Sequence, residues 1–268
     1  MERPHYLGEA FSSAFRDRDV ARAYRHRPPY PAALFDRLLG LMAPGPRAVL
    51  DVGCGRGEVA RPLAPRVARV DALDVSAEMV AEGRRAPGGD APNLRWTVGR
   101  AEDAPLDPPY ALVVGAQSLH WVEWWIVLPR LRDALLPGGY LAVVDAKSPP
   151  VPWADALDAI VRRYSTNPEY IPFDMLAAWS AAGLWKEVDR WSSPPAPFAQ
   201  PVDDYLDSLH SLSGLSRSRL GPERTAALDA DVRALVTPHA DPDGRLSIPV
   251  AGRVVWGRLL RPDREQAG

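Results

Sequence analysis

The sequence predicts an α/β fold: a mostly parallel sheet covered by helices on both faces. Three observations predict it. From Ala48 to Val144, short apolar runs alternate with segments of helical periodicity. The first run leads straight into a glycine-rich turn, Gly53-Cys54-Gly55-Arg56-Gly57. The chain is 268 residues long and 46% hydrophobic, enough for one sizeable core with insertions.

Each element follows in order. Arg27-Pro28-Pro29-Tyr30-Pro31 breaks regular structure, and Pro31 can open a helix. Leu34, Phe35, Leu38, Leu39, Leu41 and Met42 give that helix one apolar face, and Pro44-Gly45 ends it. Ala48 to Val52 reads as a buried strand, followed by the glycine turn and a short helix that Pro62 spoils. Val70 to Val75 is a second strand, after which Ser76 caps a helix carrying Met79 and Val80. Leu94–Val98 and Ala111–Ala116 are the third and fourth strands. A helix through Ile126, Leu128, Leu131 and Leu135 stops at Pro137-Gly138-Gly139, and Tyr140–Val144 is the fifth strand. Beyond Lys147 the alternation fails. Residues 148–172 and 200–243 look helical and irregular; between them lie a helix stopped by Gly183 and a strand from Trp185 to Trp191. A last strand, Leu246 to Trp256, is expected to be interrupted at Pro249 and Gly252.

Composition narrows the function. The net charge of −2 carries no basic surplus for nucleic acid. No apolar run approaches a membrane span, the start from Met1 to Phe15 lacks a signal-peptide stretch, and Cys54 is the one cysteine. A cytoplasmic protein is expected. Of the 32 basic residues only Lys147 and Lys186 are lysine, a bias of GC-rich genomes with which a secondary-metabolite substrate is associated. No His, Asp and Glu grouping has metal-ligand spacing, so no metal is expected.

The chemistry concentrates where strands meet loops. A strand running into a glycine turn that opens a helix lets a ligand approach backbone amides. A dinucleotide site wants glycine or alanine at the sixth motif position, which here is Glu58. Asp51, just before the turn, suits a ligand with an amino group. Asp74 ends the second strand, where a carboxylate can hold ribose hydroxyls; a helix-capping role is the alternative. Gly99-Arg100-Ala101-Glu102-Asp103 can border an adenine. Gln117-Ser118-Leu119-His120-Trp121 follows the fourth strand, so His120 lies where a reacting group would sit and can act as a base. A structural histidine is the plainer alternative.

The run Asp51–Gly57, Asp74 with Ser76 and Met79, Ala101-Glu102, His120-Trp121 and Leu135-Leu136-Pro137-Gly138-Gly139 resemble class I S-adenosylmethionine-dependent methyltransferases, in the trans-aconitate and ubiquinone-biosynthesis branch. The resemblance covers roughly residues 20–147. It implies a Rossmann-like, seven-stranded sheet with the last strand antiparallel, and methyl transfer from S-adenosylmethionine to a small molecule by in-line displacement. It also implies roles. Asp51, Gly53, Cys54 and Gly55 would surround the methionine portion. Asp74 and Val75 would meet the ribose, and Met79, Ala101 and Glu102 the adenine. Gln117 and His120 would face the methyl group or its acceptor, with His120 the candidate base. Arg100 departs from the acidic residue many relatives carry there.

The implied organisation is one domain with its core in 31–147, 173–199 and 244–260. A lid over the acceptor would come from 1–30, 148–172 and 200–243. Tyr24, His26, Tyr30, Trp121, Tyr164, Tyr205 and His210 are the acceptor-side candidates. Two alternatives remain: a fold that uses the cofactor non-reactively or for cyclisation, and a nicotinamide oxidoreductase. Asp107-Pro108-Pro109-Tyr110 looks like a DNA amino-methyltransferase motif but precedes its strand instead of following it.

Overall fold

The computed structural model describes residues 13–147 and 149–261, with Pro4, Gly8 and Phe11. The parts of the expected lid that fall on residues 1–3, 5–7, 9, 10, 12 and 148 lie outside the described residues.

Strand β1 (Ala48–Val52) is buried along its whole length. It pairs in parallel with β2 (Arg69–Asp74) on one side and β4 (Tyr110–Ala116) on the other. Outside these lie β3 (Leu94–Val98), parallel to β2, and β5 (Leu135–Lys147), parallel to β4. The long strand β8 (Arg245–Leu259) runs antiparallel to β5, and β6 (Trp185–Ser192) antiparallel to β8. The order is therefore β3-β2-β1-β4-β5-β8-β6, with β8 the reversed strand. The chain winds outward from β1 to β3 and then returns to β4. Strand order thus reverses between β1 and β4, where a crevice opens at the carboxyl ends.

Period-two alternation sends neighbouring strand residues to opposite faces. Val49 and Val254 pack with Leu34, Phe35 and Leu38 of helix α2 (Ala32–Gly40) and with Ala60 and Leu63 of the single-turn α3 (Ala60–Leu63). Leu50 and Val255 pack on the other face with Trp124, Val127, Leu128 and Leu131 of α5 (Trp124–Ala134) and with Trp179 of α7 (Met175–Ala181). Helix α4 (Ala77–Arg85) starts on Ser76, whose Oγ accepts from the Met79 N–H, and α1 (Arg18–Ala23) lies against it through Val20, Ala21 and Met79.

A third apolar cluster is separate from these two. It joins Trp153 and Tyr164 to Tyr205 and Leu206 of α8 (Val202–Leu209), to Leu228, Val232 and Val236 of α9 (Arg217–Val236), and to Leu246, Ile248 and Val250 of β8. Tyr164 closes α6 (Ala154–Tyr164). Gly221, at φ +74°, breaks α9 after its first turn.

The last strand departs from expectation. β8 runs unbroken through Pro249 and Gly252, and its first half pairs with a strand the sequence did not suggest, β7 (Ala196–Pro201). Pro249 lies opposite Pro197, so two residues without an N–H face each other and no ladder donor is wasted. Gly252 marks a close approach, not a break: a Cβ there would lie 2.6 Å from Leu34 Cδ1. Its backbone exchanges hydrogen bonds with Ser193. β5 likewise begins at Leu135, five residues before the expected Tyr140.

Candidate functional site

The glycine turn is built by close packing on both sides. Gly53 has φ +66°, and a Cβ there would come within 2.4 Å of Ser118 Cβ. Ser118 Oγ in turn donates to the Val52 carbonyl, tying the loop after β4 to the end of β1. Gly57, at φ +79°, lies under the Trp96 ring. Gly55 is different: the nearest atom to a Cβ there would be Glu58 Oε2 at 3.9 Å, so this side of the turn is open.

Asp74 closes the turn from β2. Its Oδ2 accepts from the Gly55 N–H at 2.7 Å and its Oδ1 from the Ser76 N–H at 2.8 Å. Burial raises its pKa, and these two amides work against the rise. Asp74 is thus not the helix cap, which is Ser76, but braces the N–H of that cap, and each of its oxygens can accept a further bond. Asp51 is fully buried and no side chain pairs with it. Burial, then the charges of Asp74 and Glu58, push its pKa up to about 8, against the pull of the Ala60 amide. Glu58 is held by Arg61 at 3.2 Å and Arg56 at 3.7 Å. Cys54 is buried, and its thiol is pushed up by that burial.

The loop after β4 turns sharply because Gln117 adopts φ +51°, with its N–H donating to the Val144 carbonyl at 3.1 Å. Leu119 then drops onto Gly115, where a Cβ would lie 2.4 Å away, and a short 3-10 turn raises His120 and Trp121 over the sheet edge. Their rings lie 4.7 Å apart, and Trp121 meets Phe15 edge-on at 5.6 Å. Trp124 is buried beneath, donating to the Leu119 carbonyl and stacking on Phe173.

These parts surround a cleft of about 1530 Å³ at the carboxyl edge of the sheet. Gly53, Gly55, Asp74, Val75, Met79, Ala101, Glu102, Gln117, His120, Trp121 and Tyr24 all line it. Glu102 is pinned by the Glu123 N–H at 2.9 Å and by Arg100 at 3.4 Å, which gives Arg100 a partner other than a ligand. Tyr24 accepts from Arg27 Nη1 at 3.1 Å under a guanidinium 4.1 Å above its ring, and burial raises its pKa.

Other expected residues are engaged elsewhere. His26 lies 3.2 Å from Asp204 and 3.6 Å from Asp207 on α8, and Arg25 Nε donates to its Nε2. Tyr30 packs against the first core cluster, its pKa raised by burial. Tyr164 donates to Asp231, and Tyr205 accepts from Trp153 Nε1. His210 is buried, with one ring nitrogen on the Leu215 carbonyl and the other on Asp229, both at 2.8 Å. Of the seven acceptor-side candidates, the cleft lining includes Tyr24 and Trp121.

The cleft adds residues that no spacing announced. Phe15 and Arg27 come from the N-terminal segment, Asp158 and Arg162 from α6, and Asp145 and Arg253 from β5 and β8. The Asp107–Tyr110 motif is far from this edge: Asp107 pairs with Arg69 and Arg95 before β4. Among the described residues no His, Cys, Asp and Glu group forms a metal site, and no helix is long and apolar enough to cross a membrane.

Known proteins share this arrangement. Residues 49–139 match the family model described as a methyltransferase domain. A trans-aconitate 2-methyltransferase of Streptomyces avermitilis is 39% identical over 214 residues, covering 73% of this chain and 76% of that protein. An uncharacterized methyltransferase of Mycobacterium bovis is 35% identical over 141 residues, 52% of this chain; the match spans about half, 55%, of that relative. A solved structure of a proposed type II methyltransferase from Anaeromyxobacter dehalogenans is 26% identical, with a TM-score of 0.60 over 88% of this chain and 99% of that one. With the fold, the glycine turn and a relative covered over most of its length in agreement, this chain belongs to the class I S-adenosylmethionine-dependent methyltransferases.

Proposed function

We propose that this protein binds S-adenosylmethionine and catalyses transfer of its methyl group to a small-molecule acceptor by direct in-line displacement. The observation that carries the reading is the extent of the cleft. It begins at the Gly53–Gly55 turn and Asp74, and it continues past His120 to β5, β8 and α6. Its volume exceeds the ~300–1000 Å³ of a typical single-ligand pocket, so a cofactor and an acceptor fit together.

The residues fit the cofactor. Gly55 is open to close approach, and Asp51, whose buried carboxyl no side chain pairs with, is held as a carboxylate by an ammonium placed nearby. Gly53 and Gly55 line the cleft beside the methionine portion in this reading, while Asp51 and Cys54, outside the cleft lining, are buried behind them. Asp74, beside Val75, accepts from ribose hydroxyls, and Met79, Ala101 and Glu102 border the adenine. When bound, S-adenosylmethionine supplies an activated methyl group, so the protein chiefly orients the partners and excludes water. Gln117 and His120 face the acceptor, and His120 takes a proton from its attacking oxygen or nitrogen.

The lid reading has support in packing. Within the proposed lid segments 1–30, 148–172 and 200–243, Val20 and Ala21 pack on Met79, and Trp153, Tyr164, Tyr205, Leu228, Val232 and Val236 form the third cluster on Leu246, Ile248 and Val250 of the core segment, apart from the two sheet-face cores. Arg27 ties the N-terminal segment to this layer by donating to Ser211 Oγ at 2.7 Å. The Streptomyces relative makes trans-aconitate the first acceptor to try.

Calorimetry with S-adenosylmethionine, S-adenosylhomocysteine and NAD tests the reading. Binding of both adenosyl ligands without NAD supports it, and acceptor-dependent formation of S-adenosylhomocysteine establishes transfer. Tight NAD binding with no response to either adenosyl ligand overturns it.

A further inference from the structure

The acceptor end of the cleft carries a charged pair that the cofactor reading leaves unused. Asp145 on β5 and Arg253 on β8 are directly opposite in the antiparallel ladder, and both line the cleft. Opposed residues in such a ladder project to one face with Cβ atoms roughly 4.5–5.5 Å apart. On the same face, Val143 and Val255 form an opposed apolar pair that also lines the cleft. Asp145 and Arg253 form no ion pair with each other, and Arg253 has no hydrogen-bond or ion-pair partner among the described residues. Arg253 draws on Asp145 electrostatically across the ladder, but no side chain among the described residues hydrogen-bonds either of them, so a ligand can bridge the two charges. The cleft as a whole is nearly balanced, with five arginines against six carboxylates among the described residues. The lining thus carries no surplus of positive charge for a polyanion.

We propose that Arg253 and Asp145 are specificity-determining residues that bind the carboxylate and the ammonium of an aminocarboxylate acceptor, with its apolar part over Val143 and Val255. This rests on the methyltransferase reading above. A guanidinium holds a carboxylate through two parallel N–H bonds, and the carboxylate opposite it on the neighbouring strand meets the adjacent ammonium. The relative's tricarboxylate would instead set three negative charges against Asp145 and Asp158.

The test begins with S-adenosylhomocysteine binding to the wild type, Arg253→Gln, Asp145→Asn and Arg162→Gln. Absence of binding to the wild type is a failure of the cofactor reading. Unchanged affinity in the variants shows that they fold. Each complex is then titrated with the common L-amino acids, their decarboxylated amines, their N-acetyl derivatives and trans-aconitate. The expected result is an amino acid that binds at least tenfold more tightly than its amine and its N-acetyl form. Arg253→Gln erases the discrimination against the amine, and Asp145→Asn that against the N-acetyl form. Arg162→Gln preserves both, and Arg253→Lys restores part of the first. The proposal is overturned if no amino acid binds, if trans-aconitate binds more tightly than all of them, or if Arg162→Gln and not Arg253→Gln removes the discrimination.

Discussion

Asp74 Oδ2 accepts a hydrogen bond from the backbone N–H of Gly55 at 2.7 Å, so the carboxylate that ends β2 also holds the glycine turn after β1 in shape. Loss of this side chain removes a structural tie and, in the proposed reading, a ligand contact. Asp74→Ala should weaken S-adenosylhomocysteine binding by at least tenfold, about 1.5–3 kcal/mol for charge-assisted hydrogen bonds. The ligand-free protein should also melt at a lower temperature. Asp74→Asn keeps one acceptor oxygen and should fall between. Calorimetry and thermal unfolding measure the two effects, and an unchanged dissociation constant in a folded Asp74→Ala protein would reduce Asp74 to a brace.

Asp51 predicts how stability depends on pH. Its carboxyl titrates near 3.8 when unfolded and at about 8 when folded. Between these values the folded state binds the extra proton. The stabilisation is complete below the unfolded pKa and is lost as pH rises toward the folded one, by up to about 1.4 kcal/mol per pH unit. Asp51→Asn abolishes this dependence. In denaturant unfolding of ligand-free protein, the advantage of Asp51→Asn over wild type should be larger at about pH 8 than at about pH 5. A gap independent of pH would show that the buried carboxylate is compensated.

Two glycines with nearly the same backbone make a controlled comparison. Gly53 has φ +66° and Gly183 φ +67°, but a Cβ on Gly53 meets Ser118 at 2.4 Å while one on Gly183 meets nothing within 4 Å. Gly183→Ala should cost only the left-handed strain, about 1–2 kcal/mol. Gly53→Ala should cost clearly more and abolish cofactor binding, because Ser118 is fixed to the Val52 carbonyl and has little room to yield. Equal melting temperatures would mean that the loop after β4 adjusts freely.

His120 is tested by separating binding from rate. As a base, His120→Ala should lower turnover by about 10² to 10⁴ while the cofactor dissociation constant stays the same. The wild-type rate should then rise with pH through the imidazole range, and His120→Asn should not rescue it. A flat profile with His120→Asn active would assign it to positioning. Parallel loss of stability and cofactor binding would make it structural.

The N-terminal segment should behave as part of a closing layer. Hydrogen exchange of residues 13–30 should slow on binding S-adenosylhomocysteine. His26→Ala, which loses Asp204 and Asp207, should speed exchange of that segment while costing only about 0.5–1.5 kcal/mol of global stability, the range of a side-chain hydrogen bond. No ligand-dependent protection of this segment would remove it from the lid.

By itself, the sequence determined the parallel sheet, the glycine turn and the edge where chemistry gathers. These are short-range properties. Ala48–Val52 and Leu94–Val98 are strands in the structure at the residues expected; burial on both faces writes β1 as a run of five buried residues, apolar except for Asp51, whereas β3, at the sheet edge, has only Leu94 buried. That Asp74 and His120 lie on one edge of the sheet was legible because chain direction in a parallel sheet places every strand end on one side. Tertiary structure alone decided the rest. β7 left no strand signal because Pro194, Pro195, Pro197 and Pro201 interrupt the pattern, and only the register shows Pro197 opposite Pro249. His210, Tyr164 and Tyr205 had the chemistry of site residues, but their hydrogen bonds are spent on Asp229, Asp231 and Trp153. Asp145 and Arg253 are far apart in the chain and share a face only through the β5–β8 register. A residue type states what a side chain can bind, whereas its partner is set by long-range packing, which leaves no periodicity in one sequence.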